Sequence, residues 1–125
     1  MPKVSRTSAE HVEQHGPVSD RHEDVAGYTI SFVSFTSDID AAPIMKGLPG
    51  DHCKVPHWGY VTKGRLTFTF DDHVEVFEGG DAFYLPPGHI PKAEAGTEYV
   101  QFSPAKELRE LAEAMDRNMQ AMQNA

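Results

Sequence analysis

His57-Trp58-Gly59-Tyr60-Val61-Thr62-Lys63-Gly64-Arg65-Leu66-Thr67-Phe68-Thr69-Phe70 is the stretch whose reading decides the fold. His57 to Thr62 is a β-favouring run, and Lys63-Gly64 is a two-residue turn signal. Leu66, Phe68 and Phe70 then alternate with threonines at a period of two, which is how a half-buried strand reads. Downstream, Asp71-Asp72 turns into Val74-Glu75-Val76-Phe77, and Glu78-Gly79-Gly80-Asp81 makes another turn. Ala82 to Leu85, Lys92 to Ala95 and Thr97 to Phe102 read as further strands. Upstream, Tyr28 to Thr36 carries Tyr28, Ile30, Phe32 and, after a slip at Val33, Phe35 among β-favouring polar residues. Short strands between regular turns predict an all-β sandwich or barrel and argue against a βαβ sheet.

The flanks read differently. Residues 1–24 are polar, with Gly16-Pro17 and acidic clusters but no periodicity, and predict an irregular lead-in. Asp38 to Asp51 is rich in Pro, Gly and Asp, a loop with a short edge strand near Ile44-Met45. At the other end Ser103-Pro104 has the form of a helix start, a capping hydroxyl before a first-turn proline. Leu108, Leu111, Ala112, Met115, Met119 and Met122 recur at spacings of three and four, and charged residues fill the other faces. The division expected is an arm over 1–26, a β-barrel over 27–103 and an amphipathic C-terminal α-helix over 104–125.

With 125 residues the chain is one domain. Eleven Lys and Arg against nineteen Asp and Glu give a net charge of −8. No basic patch interrupts that balance, so nucleic acid and anionic membrane surfaces are excluded as expected partners. The single cysteine, Cys53, rules out an intramolecular disulfide and suits a reducing compartment. Met1 to Ala9 has no apolar signal core, so a cytoplasmic location is expected.

Two stretches, Asp51-His52-Cys53-Lys54-Val55-Pro56-His57 through Gly64 and Gly80 through Pro86-Pro87-Gly88-His89-Ile90-Pro91, resemble the two motifs of the cupin family. Tyr60-Val61-Thr62-Lys63-Gly64 matches the ending of the first motif, and Gly80, Pro86 and Gly88 match the second. The resemblance covers 27–102 and implies an all-β cupin-type jelly-roll barrel. At the family's ligand positions this chain is altered. His57 stands where the family has glutamate. The two family histidines fall on Asp51 and Cys53 in one spacing, or on Gly50 and His52 in the other. The last family histidine falls on Pro91, and His89 lies two residues before it.

Parity tests whether the altered set can still bind metal. Asp51, Cys53 and His57 share one face of an unbroken strand, and His89 keeps the parity of position 91. A thiolate with two imidazoles suits a tetrahedral site, zinc first, with iron or nickel as alternatives. The expected metal ligands are Cys53, His57 and His89, with Asp51 or His52 as a further member. A bulge at Pro56 would instead turn these side chains apart, and a lone buried cysteine also reads as a small hydrophobe.

His11, His15, His22 and His73 read as surface or local hydrogen-bonding histidines, with Asp20-Arg21-His22-Glu23-Asp24 a solvated charge run. Trp58, Tyr60, Phe68, Phe70, Phe83 and Tyr84 read as core or barrel lining. The cupin resemblance implies a small molecule acted on or sensed in the barrel. The alternative is a metal-free ligand-binding or structural cupin without catalytic activity. No catalytic pair stands out. Small cupins commonly pair through N-terminal segments, so a homodimer is expected.

Overall fold

Strand parity organises the molecule around His57. The computed structural model describes residues 3–46 and 53–123. Ten strands form two antiparallel sheets. The larger contains β1 (His11–His15), β2 (Val18–Val25), β3 (Tyr28–Phe35), β5 (His57–Lys63), β8 (Ala82–Leu85) and β10 (Glu98–Pro104), in the order β1-β2-β3-β10-β5-β8. The smaller contains β4 (Ile39–Asp40), β6 (Arg65–Thr69), β7 (Val74–Glu78) and β9 (Ile90–Ala93), in the order β4-β9-β6-β7. The short helix α1 (Ala42–Met45) follows β4, and α2 (Ala105–Gln123) ends the chain.

The Lys63-Gly64 turn does not fold β5 onto β6. β5 pairs with β10 and β8, whereas β6 pairs with β7 and β9. Gly64, at φ 85°, is a corner where the chain crosses between sheets, and a Cβ there would run into Thr97. The chain crosses again between β7 and β8, where Gly80 has φ 101°. These crossings give the jelly-roll arrangement expected, with the two sheets facing but not sealed into a closed cylinder.

Four expectations change. The lead-in expected over 1–26 is largely a hairpin, β1 and β2, that extends the large sheet through eight paired positions with β3. Its two faces carry little hydrophobic alternation, because its cavity-lining residues, His11, Glu13, His15, Asp20, His22 and Asp24, are polar. β3 needs no slip at Val33. Thr29, Ser31 and Val33 point inward, and Ile30 and Phe32 point out. The edge strand expected near Ile44-Met45 is α1, whose first turn accommodates Pro43. Trp58, Tyr60 and Tyr84 lie outside, since His57 and Leu85 face in and their neighbours must face out.

Between the sheets Val33, Val61, Leu66, Phe68, Phe83, Leu85, Ala93 and Tyr99 form the core. A second cluster, Ala41, Met45, Cys53 and Val55, receives Leu111 and Met115 from α2. That contact bears out the apolar stripe read from the C-terminal sequence; the side chains of Met119 and Met122 lie outside the described set. Arg109 pairs with Asp24 at 3.3 Å, and Asn118 Nδ2 donates to the Lys46 carbonyl at 3.0 Å. No helix among the described residues is long and apolar enough to cross a membrane.

Candidate metal centre and ligand cavity

The chain between Cys53 and His57 is not a continuous strand, since residues 54–56 lie outside any sheet. Cys53 is instead pinned to the loop of the second motif. Its N–H donates to the His89 carbonyl at 2.8 Å, and Gly88 N–H donates to the Cys53 carbonyl at 2.7 Å. The break at Pro56 therefore brings Cys53 toward His57 rather than away from it. Sγ of Cys53 lies 3.8 Å from Nε2 of His57, and the rings of His57 and His89 lie 5.1 Å apart. One donor atom from each of the three residues lies within 4.8 Å of the other two. All three are buried. Asp51 and His52, expected as further members, lie outside the described residues.

The outer nitrogens fix the ring orientations. His89 Nδ1 donates to the Pro86 carbonyl at 2.9 Å, which leaves the lone pair on Nε2. His57 Nδ1 shares a hydrogen bond of 2.6 Å with the Ser103 hydroxyl, so Nε2 faces Cys53. Ser103 was the expected helix cap. It is instead the inward residue of β10 directly across from His57, and α2 begins at Ala105.

Burial sets the charge state. Desolvation, with the neighbouring His89 adding to it, pulls the His57 imidazole down to about 3. Desolvation pushes the Cys53 thiol up to about 11, opposed only by a hydrogen bond with the Val55 backbone. Near neutral pH the pair is a thiol and a neutral imidazole, not a thiolate–imidazolium nucleophile. The donor set fits a tetrahedral cation. Zinc–sulfur and zinc–nitrogen bonds of about 2.3 and 2.0–2.1 Å place those ligand atoms about 3.6 Å apart, close to the 3.8 Å observed. A cation entering here displaces the thiol proton.

The cluster forms part of the wall of a cavity of about 470 Å³ enclosed by both sheets and α2. Much of the wall is apolar, with Leu66, Phe68, Leu111 and Met115 among its residues. Sequence reasoning missed a second group in it. His11 and His22 stack at 5.3 Å, and Asp20 meets His22 Nδ1 at 3.3 Å. The parity of Asp20, His22 and Asp24 was the available signal, hidden because these residues are charged. His15 and His73 pair with Glu13 and Asp72 as local hydrogen-bonders.

Residues 56–121, more than half of the chain, match the family described as the AraC-like ligand binding domain. The chain belongs to that family and is a cupin. No functionally curated protein matches this cupin in sequence. Its fold is similar to that of several solved structures. A protein of unknown function from Rhizobium leguminosarum bv. viciae 3841 is 17% identical, with 82% of this chain and 95% of that one covered and a TM-score of 0.59. The polyketide cyclase RemF from Streptomyces resistomycificus is 14% identical, with 83% and 79% covered and a TM-score of 0.57. An RmlC-like cupin from Shewanella frigidimarina is 17% identical, with 81% and 88% covered and a TM-score of 0.54. At these identities the likeness is one of fold.

Proposed function

We propose that this cupin binds one divalent cation, zinc in preference to iron or nickel, through Cys53, His57 and His89, and holds a small molecule beside it in the cavity. The observation that carries the reading is the convergence of three buried soft donors, Sγ and two imidazoles, from two distant stretches of chain. Ser103 and the Pro86 carbonyl hold the outer ring nitrogens and so orient both imidazoles toward a common point. A cation bound there would supply Lewis acidity to a ligand oxygen or nitrogen.

Metal analysis of protein purified without an affinity tag tests the reading. About one zinc per chain is expected, lost when Cys53→Ser is combined with His57→Ala. Protein that takes up no metal after supplementation sinks it. That outcome leaves the second reading, a metal-free ligand-binding cupin, favoured by the packing of Cys53 against Ala41, Met45 and Val55 as a small hydrophobe.

The cupin also pairs with a second copy of itself. Outward-facing Tyr28, Trp58, Tyr60, Tyr84 and Phe102 form an aromatic surface on the outer side of the large sheet. Trp58 contacts Tyr84 at 5.1 Å and Tyr28 at 6.5 Å, so the rings are contiguous rather than scattered. The N-terminal segment, through which pairing was expected, is engaged with β3 of its own sheet, and the aromatic surface is the interface proposed instead.

A further inference from the structure

Away from the Cys/His cluster, the cavity wall carries a second polar patch built on three adjacent strands. Asp20 on β2, Ser31 on β3, and Tyr99 and Gln101 on β10 all line the cavity. The registers set them side by side: Ser31 lies across from Gln101 and from His22, and Val33 lies across from both Tyr99 and Asp20. Ser31 is 1% exposed and Tyr99 9% exposed. Among the described residues the Ser31 hydroxyl, the Tyr99 phenol and the Gln101 amide make no side-chain hydrogen bond. The Asp20 carboxylate meets only His22. Buried polar groups are rarely left unpaired; two such groups, Ser31 and Tyr99, facing a cavity beside the half-buried Gln101 call for an occupant that satisfies them.

We infer that this patch is a recognition site for the ammonium group of a small, otherwise apolar amine. An ammonium has three N–H donors and no acceptor. The patch offers the Asp20 carboxylate and the oxygens of Ser31, Tyr99 and Gln101, more than enough acceptors for one such group. Charge points the same way. Arg109 already pairs with Asp24, which leaves Glu13, Asp20 and Asp116 against Lys92 in the cavity wall. An anion would meet repulsion there, and a neutral alcohol would leave the Asp20 charge unanswered. Tyr99 and Phe35, with ring centroids 6.1 Å apart, add π-faces beside the patch. Leu66, Leu111 and Met115 suit the hydrocarbon body. Desolvation raises the Asp20 carboxyl above its ordinary value, with His22 opposing it, and a ligand cation would favour the ionised form.

This inference rests on the reading of the cavity as a small-molecule site and not on the metal. Calorimetric titration of the full chain with benzylamine, benzyl alcohol and benzoate tests it. Benzylamine is expected to bind about tenfold or more tightly than benzyl alcohol, with benzoate weakest. Asp20→Asn should remove that preference, and Tyr99→Phe should reduce it by less. Circular dichroism and the melting temperature report whether each variant folds, and Gln101→Leu serves as the substitute if Asp20→Asn does not. Benzylamine binding no tighter than benzyl alcohol overturns the inference. So does a preference that survives Asp20→Asn, since an amine ligating the metal would not depend on Asp20. Zinc content measured on the same samples separates the two readings. Zinc-loaded protein that ignores the amine sinks this inference alone, and zinc-free protein that prefers it sinks the metal alone.

Discussion

At the residue scale, Ser103, expected as a helix cap, is a support for the Cys/His cluster. Its hydroxyl fixes His57 from the far side of the ring. Ser103→Ala should weaken zinc binding about 10–100-fold with the fold retained, as read by competition with a chromogenic chelator. Two opposite shifts also set a pH window for the metal-free protein. His57 sits at about 3 when folded against an ordinary value of 6.5, so the stability it contributes is present above 6.5 and lost as pH falls toward 3. Cys53 sits at about 11 against 9.0, so its contribution is present below 9.0 and lost as pH rises toward 11. The urea midpoint should therefore plateau between pH 6.5 and 9.0. The His57 contribution to the acid limb is at most about 1.4 kcal/mol per pH unit, partly offset by Asp20, whose raised carboxyl acts in the opposite sense. His57→Gln should flatten that limb. Cys53, His57 and His89 were singled out by motif spacing, a local property; strand parity does not account for their meeting, because residues 54–56 interrupt the strand. Ser103 was not, because its partner is 46 residues away and its local context mimics a helix start.

At the scale of elements, strands with one apolar face were readable. β6 and β8 lie within a residue of where the alternation puts them. The β1–β2 hairpin was hidden because the residues it turns to the cavity are histidines and carboxylates, which carry no hydrophobic period. Close packing explains Gly59, at the crossing of β10, β5 and β8. A Cβ there would meet the Val100 carbonyl at 2.5 Å and the Phe83 ring. Gly59→Ala should cost about 1–3 kcal/mol, measured as a lower urea midpoint with an unchanged slope. The collision includes backbone, which cannot rotate away.

At the scale of the whole molecule, burial and exposure are inverted relative to a simple sandwich. The large sheet turns hydroxyls, histidines and carboxylates inward at its cavity end and aromatic rings outward. Trp58 and Tyr84, 44% and 49% exposed, stand on the outer face of β5 and of the edge strand β8. Light scattering at micromolar concentration should report a dimer. Trp58→Glu combined with Tyr84→Lys should yield a monomer that still binds zinc; a wild-type monomer counts against the pairing. The origin of the cavity wall has a separate consequence. The Cys/His donors and their supports come from residues 53–103, whereas much of the opposing wall comes from the hairpin over 11–25 and from the helix over 105–116. The three clustered donors thus sit in the middle of the chain, while its two ends supply a large share of the wall that a ligand would meet. The two ends of the chain can drift to admit a new ligand while the donors in the middle stay untouched.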